Sequence, residues 1–140
     1  MTIDEIQDEI IEEFRELYDW MDRYQLLIDM GNDAEPLDEK YKTEQNLIDG
    51  CQSRVWLQAD IIDGRVRFMA ESDALIVKGI VALLIRVYND QTPDDILASD
   101  PYFIKEIGLS EHLSPTRSNG LLAMLKQMKM YALAFKAKGN

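Results

Sequence analysis

The sequence contains little of the two side chains that most often carry chemistry, with one cysteine, Cys51, and one histidine, His112, among its 140 residues. A lone cysteine cannot close a disulfide within its own chain and supplies too few ligands for a structural zinc site. His112 has no spacing with carboxylates that matches a metal-ligand pattern. Cys51 is therefore an inert core thiol, a reactive thiol or a link to another chain.

Long hydrophobic runs and glycine-rich loops are also missing. The longest apolar stretch, Ala74 to Tyr88, is interrupted by Lys78 and Arg86 and is too short to span a bilayer. Residues 1–16 carry seven carboxylates, which a signal peptide does not. The glycines are isolated, so a phosphate-binding loop is not expected. With no leader and no cysteine pair, we predict a cytoplasmic protein.

Positive charge is scarce, because 15 lysines and arginines face 26 carboxylates and leave a net charge of −11. Phosphate binding depends on clustered basic residues, so nucleic acid and anionic membranes are disfavoured as partners. An acidic surface suits solubility or docking to a basic patch on another protein. The length and a hydrophobic content of 46% predict one compact domain spanning residues 1–140.

Helical periodicity covers both ends and the middle of the chain. A capping box, Thr2 to Glu5, precedes apolar residues at steps of three and four, which predicts one helix ending before Gly31. Ser72 is expected to cap a nearly all-apolar central helix, residues 73–88. Thr92-Pro93 and residues 101–107 predict short helical turns, the second ending at Gly108. The last helix is expected to start at Ser114-Pro115 and to bury Leu121, Leu125, Met128, Ala132 and Phe135.

Between the first two helices the sequence alternates as β-strands do. Residues 45–48, 53–59 and 65–71 predict three short strands, with a hairpin at Asp63-Gly64 whose loop we expect to contain four or five residues. The predicted fold class is therefore α+β. A small antiparallel sheet of about three strands would pack against long N-terminal, central and C-terminal helices.

The cysteine lies beside a turn signal, Asp49-Gly50, and turns often carry chemistry. Gln52 and Ser53 bring amide and hydroxyl groups that can hydrogen-bond a sulfur anion, and Arg117 is a candidate cation from the last helix. Two alternatives stay open for these residues. Cys51 can be an inert buried thiol, and Arg117 a solvated or capping side chain.

Four segments of the chain together resemble the SufE family of sulfur-acceptor proteins. Their order and spacing match nearly the whole chain, with Glu71 in place of the usual aspartate and Ile80 in place of the usual leucine. The segments are Gly50-Cys51-Gln52-Ser53-Arg54-Val55-Trp56, Glu71-Ser72-Asp73-Ala74 with Lys78-Gly79, Gln91-Thr92-Pro93, and Leu113-Ser114-Pro115-Thr116-Arg117-Ser118-Asn119-Gly120-Leu121.

The resemblance implies a sulfur carrier for iron–sulfur cluster assembly that has no cofactor or metal of its own. Cys51 would accept persulfide sulfur from a pyridoxal-phosphate cysteine desulfurase of the SufS or CsdA type, stimulate that enzyme, and pass the sulfur to a SufBCD-type scaffold. Gly50, Gln52 and Ser53 would shape the loop that presents the thiol. Arg117 would face the partner or stabilise the thiolate.

Two other functions are compatible with the residues alone. A cysteine hydrolase would need a base beside Cys51, and only His112 can supply an imidazole. A pure interaction module would use Cys51 as a structural residue. The sequence leaves open which desulfurase type is the partner.

Overall fold

The N-terminal part of the chain forms two helices where the sequence predicts one. The structure is a computed structural model that describes residues 1–49 and 53–139. Helix α1 spans Ile3–Arg15 and α2 spans Trp20–Asp33. The predicted capping box is confirmed, because the Thr2 hydroxyl accepts the Glu5 amide at 3.1 Å and Glu5 accepts the Thr2 amide at 2.9 Å.

The break between α1 and α2 is set by Asp19. Its backbone is extended, and its carboxylate accepts the Met21 amide at 2.9 Å, so it caps a new helix. Aspartate stabilises a helix start more than a helix interior. The apolar periodicity that predicted one helix continues through Met21, but this side chain is 72% exposed and adds little to the core.

The sequence predicts a helix end before Gly31, but helix α2 continues through Gly31 to Asp33. Gly31 lies against α3 (Leu75–Tyr88), where an added Cβ would stand 2.7 Å from the Lys78 Cβ. On the facing helix, a Cβ at Gly79 would stand 2.1 Å from the Leu27 carbonyl oxygen. The two glycines therefore allow the helix backbones to touch, and Gly31 serves packing rather than termination.

The sheet has two strands within the described residues, β1 (Val55–Ile62) and β2 (Arg65–Ser72), paired antiparallel. The predicted first strand is wrong, since residues 44–46 form a 3-10 turn and only Leu47 pairs, in a single bridge with Trp56. The hairpin loop is also shorter than expected. Asp63 and Gly64 have φ of 53° and 77°, the positive values that a two-residue hairpin turn requires.

The inward faces of both strands are the predicted ones; β2 packs on α3, and β1 contacts the last helix of the chain. Val55 and Leu57 of β1 and Val66 and Phe68 of β2 are at most 2% exposed. Helix α3 begins two residues later than predicted, with Ala74 at its N-cap position, because Ser72 belongs to β2. Ser72 still accepts the Ala74 amide through its hydroxyl at 3.3 Å. The central apolar helix and the α+β class are confirmed.

Short helices connect α3 to the last helix. They are α4 (Pro93–Ala98), α5 (Phe103–Glu106) and α6 (Leu109–His112), and only the last was not predicted. The Thr92 hydroxyl caps α4 by accepting the Asp95 amide at 3.2 Å. Gly108, at φ 84°, separates α5 from α6.

Helix α7 begins at Pro115, as predicted, and extends to Gly139. Its inward face packs on α3, β1 and α4. The predicted stripe is buried except at Phe135, which is only partly covered, and Met124 joins it at 2% exposure. Arg86 of α3 binds Glu9 and Glu13 of α1, which ties the N-terminal helix to the same central helix.

We predict that Gly79→Ala strongly destabilises the fold. The new methyl group would collide with backbone atoms of α2 rather than with a side chain that can move, so the free energy of unfolding should fall by about 3 kcal/mol or more. Urea unfolding measures the loss. The matched control is Gly139→Ala, also in a helix, where nothing lies within 4 Å of the added Cβ. Equal stability of the two variants would contradict the close crossing.

Candidate functional site

Three of the predicted site residues, Gly50, Cys51 and Gln52, lie outside the described residues, but the structure defines the chain on both sides of them. The Ile48 amide donates to the Val55 carbonyl at 2.9 Å. Beyond the cysteine, Arg54 and Asp73 bond reciprocally. The chain is thus held on both sides of the cysteine segment, before it by a bond to the first residue of β1 and after it by bonds to the residue that follows β2.

The reciprocal contact uses Asp73 of the second motif. Its carboxylate accepts the Arg54 amide at 3.2 Å, and its own amide donates to the Arg54 carbonyl at 3.3 Å. The sequence identifies this aspartate only as part of the Glu71-Ser72-Asp73-Ala74 motif and predicts no role for it. The motif connects β2 to α3, and its aspartate also holds the residue three positions after Cys51.

A cavity of about 360 Å³ lies beside this point, between the start of β1, α3 and the first turns of α7. Ser53 and Arg117 both line it, so the structure brings together two of the predicted site residues, which are far apart in sequence. Its apolar walls come from three elements: Val55 of β1, Val77, Ile80, Val81 and Leu84 of α3, and Leu121 and Met124 of α7. The sequence indicated these side chains only as core.

Arg117 occupies the first turn of α7, where the Ser114 hydroxyl accepts its backbone amide at 3.3 Å. Its side chain is exposed. Among the residues that the structure describes, no carboxylate lies within ion-pair distance of its guanidinium. Arg117 and the positive end of the α7 macrodipole therefore place positive charge at the rim of the cavity, where an anion would be stabilised.

Glu71, the residue that departs from the family pattern, is engaged by two donors. Oε1 accepts the Leu37 amide at 2.9 Å, and Oε2 pairs with Lys42 at 2.7 Å. Burial alone would raise the pKa of Glu71, but these hydrogen bonds outweigh it and hold the pKa below its ordinary value. The glutamate thus fixes the segment before the cysteine to β2.

His112, the only candidate base for a hydrolase, is occupied by structural contacts. Its ring stacks on Trp20 with centroids 3.7 Å apart, and Nδ1 lies 3.2 Å from the Gly108 carbonyl oxygen. It is not among the described residues that line the cavity. These contacts explain the histidine without catalysis, and nothing in the described residues favours the dyad.

Residues 1–49 and 53–139 contain neither a metal-binding cluster nor a membrane-spanning helix. No three side chains among histidine, aspartate and glutamate come together in a metal-binding arrangement. No helix is long and apolar enough to cross a membrane.

Comparison with known proteins agrees with these motifs. Residues 8–132 match the model of a family described as SufE, Fe-S metabolism associated domain. The chain belongs to the SufE family. The protein therefore has a role in iron–sulfur metabolism and sulfur transfer.

Individual relatives cover most of this chain. An uncharacterized SufE-like protein of Synechocystis is 41% identical over 90% of this chain and 79% of its own length. SufE-like protein 1, chloroplastic/mitochondrial, of Arabidopsis thaliana is 38% identical over 94% of this chain, which spans only 36% of that protein. The solution structure of a hypothetical protein from Thermus thermophilus superposes with a TM-score of 0.76 at 25% identity, covering 92% of this chain and 94% of that one.

We predict that Glu71→Gln lowers stability at neutral pH by up to about 1 kcal/mol, the usual size for a solvent-accessible ion pair. Because the folded state lowers the pKa of Glu71, its contribution is present above the ordinary glutamate value of about 4.3 and is lost as pH falls through the folded value. The difference between variant and wild type should therefore shrink at acidic pH. Urea unfolding between pH 7 and about 3 measures it.

The matched control is Glu39→Gln, since Glu39 also bonds Lys42, at 3.0 Å, but is 85% exposed and touches no backbone amide in the described residues. We expect little change in its stability at any pH. A loss in Glu71→Gln that persists undiminished at acidic pH would contradict the ionic role.

Proposed function

We propose that this chain is a sulfur carrier and not an enzyme. Cys51 accepts persulfide sulfur from a pyridoxal-phosphate cysteine desulfurase of the SufS or CsdA type, stimulates that enzyme, and delivers the sulfur to a SufBCD-type scaffold. The observation that carries the proposal is that Ser53, two residues after Cys51, lines the same cavity as Arg117. Membership of the SufE family points to sulfur chemistry, and the cavity lined by Ser53 and Arg117 is the site that we propose for it.

Chain connectivity supports the position of the thiol. Ser53 is only two residues after Cys51 in the sequence, and each residue of an extended chain spans at most about 3.6 Å. Both flanks are fixed by hydrogen bonds, at Ile48 and at Arg54. The proposal therefore assigns the acceptor thiol to the mouth of the cavity that Ser53 and Arg117 line.

The transfer is a thiol–disulfide exchange in which the terminal sulfur is the atom attacked. The Cys51 thiolate bonds to the outer sulfur of the desulfurase persulfide, the S–S bond of that persulfide breaks, and the desulfurase cysteine leaves as a thiolate. The outer sulfur keeps its oxidation state, so no external oxidant or reductant is needed. Delivery to the scaffold repeats the same step with Cys51 as the leaving thiolate.

The charged rim and the apolar wall of the cavity have different roles in the transfer: the rim stabilises the sulfur anion, and the wall protects the loaded sulfur. Positive charge from Arg117 and the α7 N-terminus, together with the Ser53 hydroxyl, stabilises the anionic sulfur that attacks and later carries the persulfide. The apolar wall from α3 excludes water and soluble thiols from a loaded sulfur. The absence of a second cysteine in the sequence removes the intramolecular route by which a thiol would expel the sulfur as sulfide.

We also propose a cytoplasmic location for the protein. The sequence predicts the cytoplasm, whereas the name of the Arabidopsis relative places that protein in chloroplasts and mitochondria.

We predict that wild-type protein gains one sulfur atom when it is incubated with a cysteine desulfurase and cysteine, and that Cys51→Ser gains none. Intact mass spectrometry measures the gain, and circular dichroism shows that the variant is folded. His112→Ala should load like wild type, because no transfer step uses the imidazole. Sulfur on Cys51→Ser, or no sulfur on wild type with either desulfurase type, would contradict the carrier function.

We predict that Arg117→Ala slows sulfur loading about tenfold or more, since a charge-assisted contact to a sulfur anion is worth about 1.5–3 kcal/mol. Arg117→Lys should restore part of the rate because it keeps the charge. The matched control is Arg15→Ala, an arginine 66% exposed on α1 and bonded only to Glu12 in the described residues. Time-resolved intact mass measures each rate, and equal rates for the two alanine variants would remove Arg117 from the site.

A further inference from the structure

The charges of this chain are segregated between its last helix and everything before it. Helix α7 contains five cationic side chains and no carboxylate. Since the whole chain carries −11, the residues outside α7 carry −16. A single helix is thus the basic element of an otherwise acidic protein.

The outward face of α7 is apolar as well as basic. Leu122, Met130 and Leu133 are 62%, 53% and 58% exposed, and Lys126 lies between the first two. The steps of four, four and three residues place all four on one side of the helix. We call these four residues the α7 ridge. The buried stripe that begins with Leu121 and Met124 occupies another side.

The fold does not use the cation of the ridge. Two other lysines of α7 have structural partners: Lys129 donates to the Ser99 carbonyl at 2.8 Å, and Lys136 pairs with Asp94 at 2.8 Å. By contrast, no carboxylate in the described part of the chain lies within ion-pair distance of Lys126. Three large apolar side chains in a row around an available cation mark an interaction surface rather than scattered exposure.

We propose that the α7 ridge docks an acidic amphipathic helix of a partner protein. Leucine-type side chains of that helix would cover Leu122, Met130 and Leu133, and its carboxylates would pair with Lys126. A basic helix face with regularly spaced apolar side chains is the pattern that helix–helix recognition uses, with anchors at three- and four-residue steps.

A protein partner fits the charges better than the other two occupants. An anionic membrane surface would attract α7 but repel the −16 carried by the rest of the chain. A second copy would bring two chains of net charge −11 together, and a symmetric contact would set α7 against α7 with like charges opposed. A short acidic helix covers only the ridge, so it faces far fewer of the remaining carboxylates at close range than an extended anionic surface would.

The ridge does not share its residues with the cavity. Leu121 and Met124 line the cavity, whereas Leu122 and Lys126 do not. A partner bound to the ridge would therefore leave the cavity lined by Ser53 and Arg117 accessible to a second protein. This inference does not depend on sulfur transfer, and the test below contains no thiol chemistry.

The probe is a synthetic peptide of about 18 residues, long enough for stable helicity on binding, with leucines at helical spacing and glutamates elsewhere. We expect saturable chemical-shift changes in isotope-labelled full-length protein, confined to residues around the α7 ridge. Met130→Ser and Lys126→Glu should each weaken binding about tenfold. Raising the salt concentration from about 0.05 M to about 0.5 M should weaken it further, because charge pairing is screened.

Matched controls exist elsewhere on the surface. Met21→Ser removes a methionine that is 72% exposed on α2, and Lys105→Glu reverses an exposed lysine on α5; both should bind like wild type. A peptide of the same composition with scrambled leucines should bind at least about tenfold more weakly.

Four results would overturn the proposal. They are no saturable binding, equal binding of the scrambled peptide, vesicles of phosphatidylcholine and phosphatidylglycerol binding in a manner that Met130→Ser abolishes, or self-association of the protein alone that the same change abolishes.

Discussion

The close crossing of α2 and α3 is the constraint on which the rest of this fold depends. Helix axes normally stay about 8–10 Å apart because side chains separate them, but here Gly31 and Gly79 remove the side chains at the crossing point and the backbones meet. With α2 held this close, α3 can be covered on its remaining sides by the hairpin, α1 and α7. An almost wholly apolar helix needs that enclosure, since any uncovered side would expose large aliphatic groups.

The cavity is a consequence of the same arrangement. Its apolar wall is the face of α3 that neither α2 nor the hairpin covers completely, and α7 closes it with Leu121 and Met124. The first turns of α7 then bring Arg117 to the rim, where Ser53 also lies. The central helix therefore positions polar groups from two distant segments. The described residues on either side of the cysteine segment are held to this frame by hydrogen bonds, at Ile48 and at the Arg54–Asp73 pair.

Local signals predicted what local chemistry determines. The capping box, the proline start of α7, the inward faces of both strands and the α+β class all follow from spacing within a few residues. The errors occurred where tertiary contacts decide. A glycine such as Gly31 is typical of a helix end, but here it allows α2 to pack closely on α3. This role is visible only once Gly31 is seen beside α3, near Gly79. Asp19 starts a new helix although the apolar period continues past it. The segment before the cysteine forms a 3-10 turn with one bridge, and the chain ahead of it is held by the bonds of Leu37 and Lys42 to Glu71.

The site shows the same division between local and distant information. The cysteine and its neighbours can be picked from sequence because the chemistry of a lone thiol limits the choices, and Arg117 follows from the family pattern. The apolar wall could not be picked, since Val77, Ile80, Val81 and Leu84 look like any other core residues until α7 leaves space beside them. Asp73 is an example of what the motif leaves out. A motif match identifies the residue, but its two bonds to Arg54 show that both its carboxylate and its backbone amide are used there. Physical roles of this kind come from contacts between segments, and those contacts are what one sequence read alone does not contain.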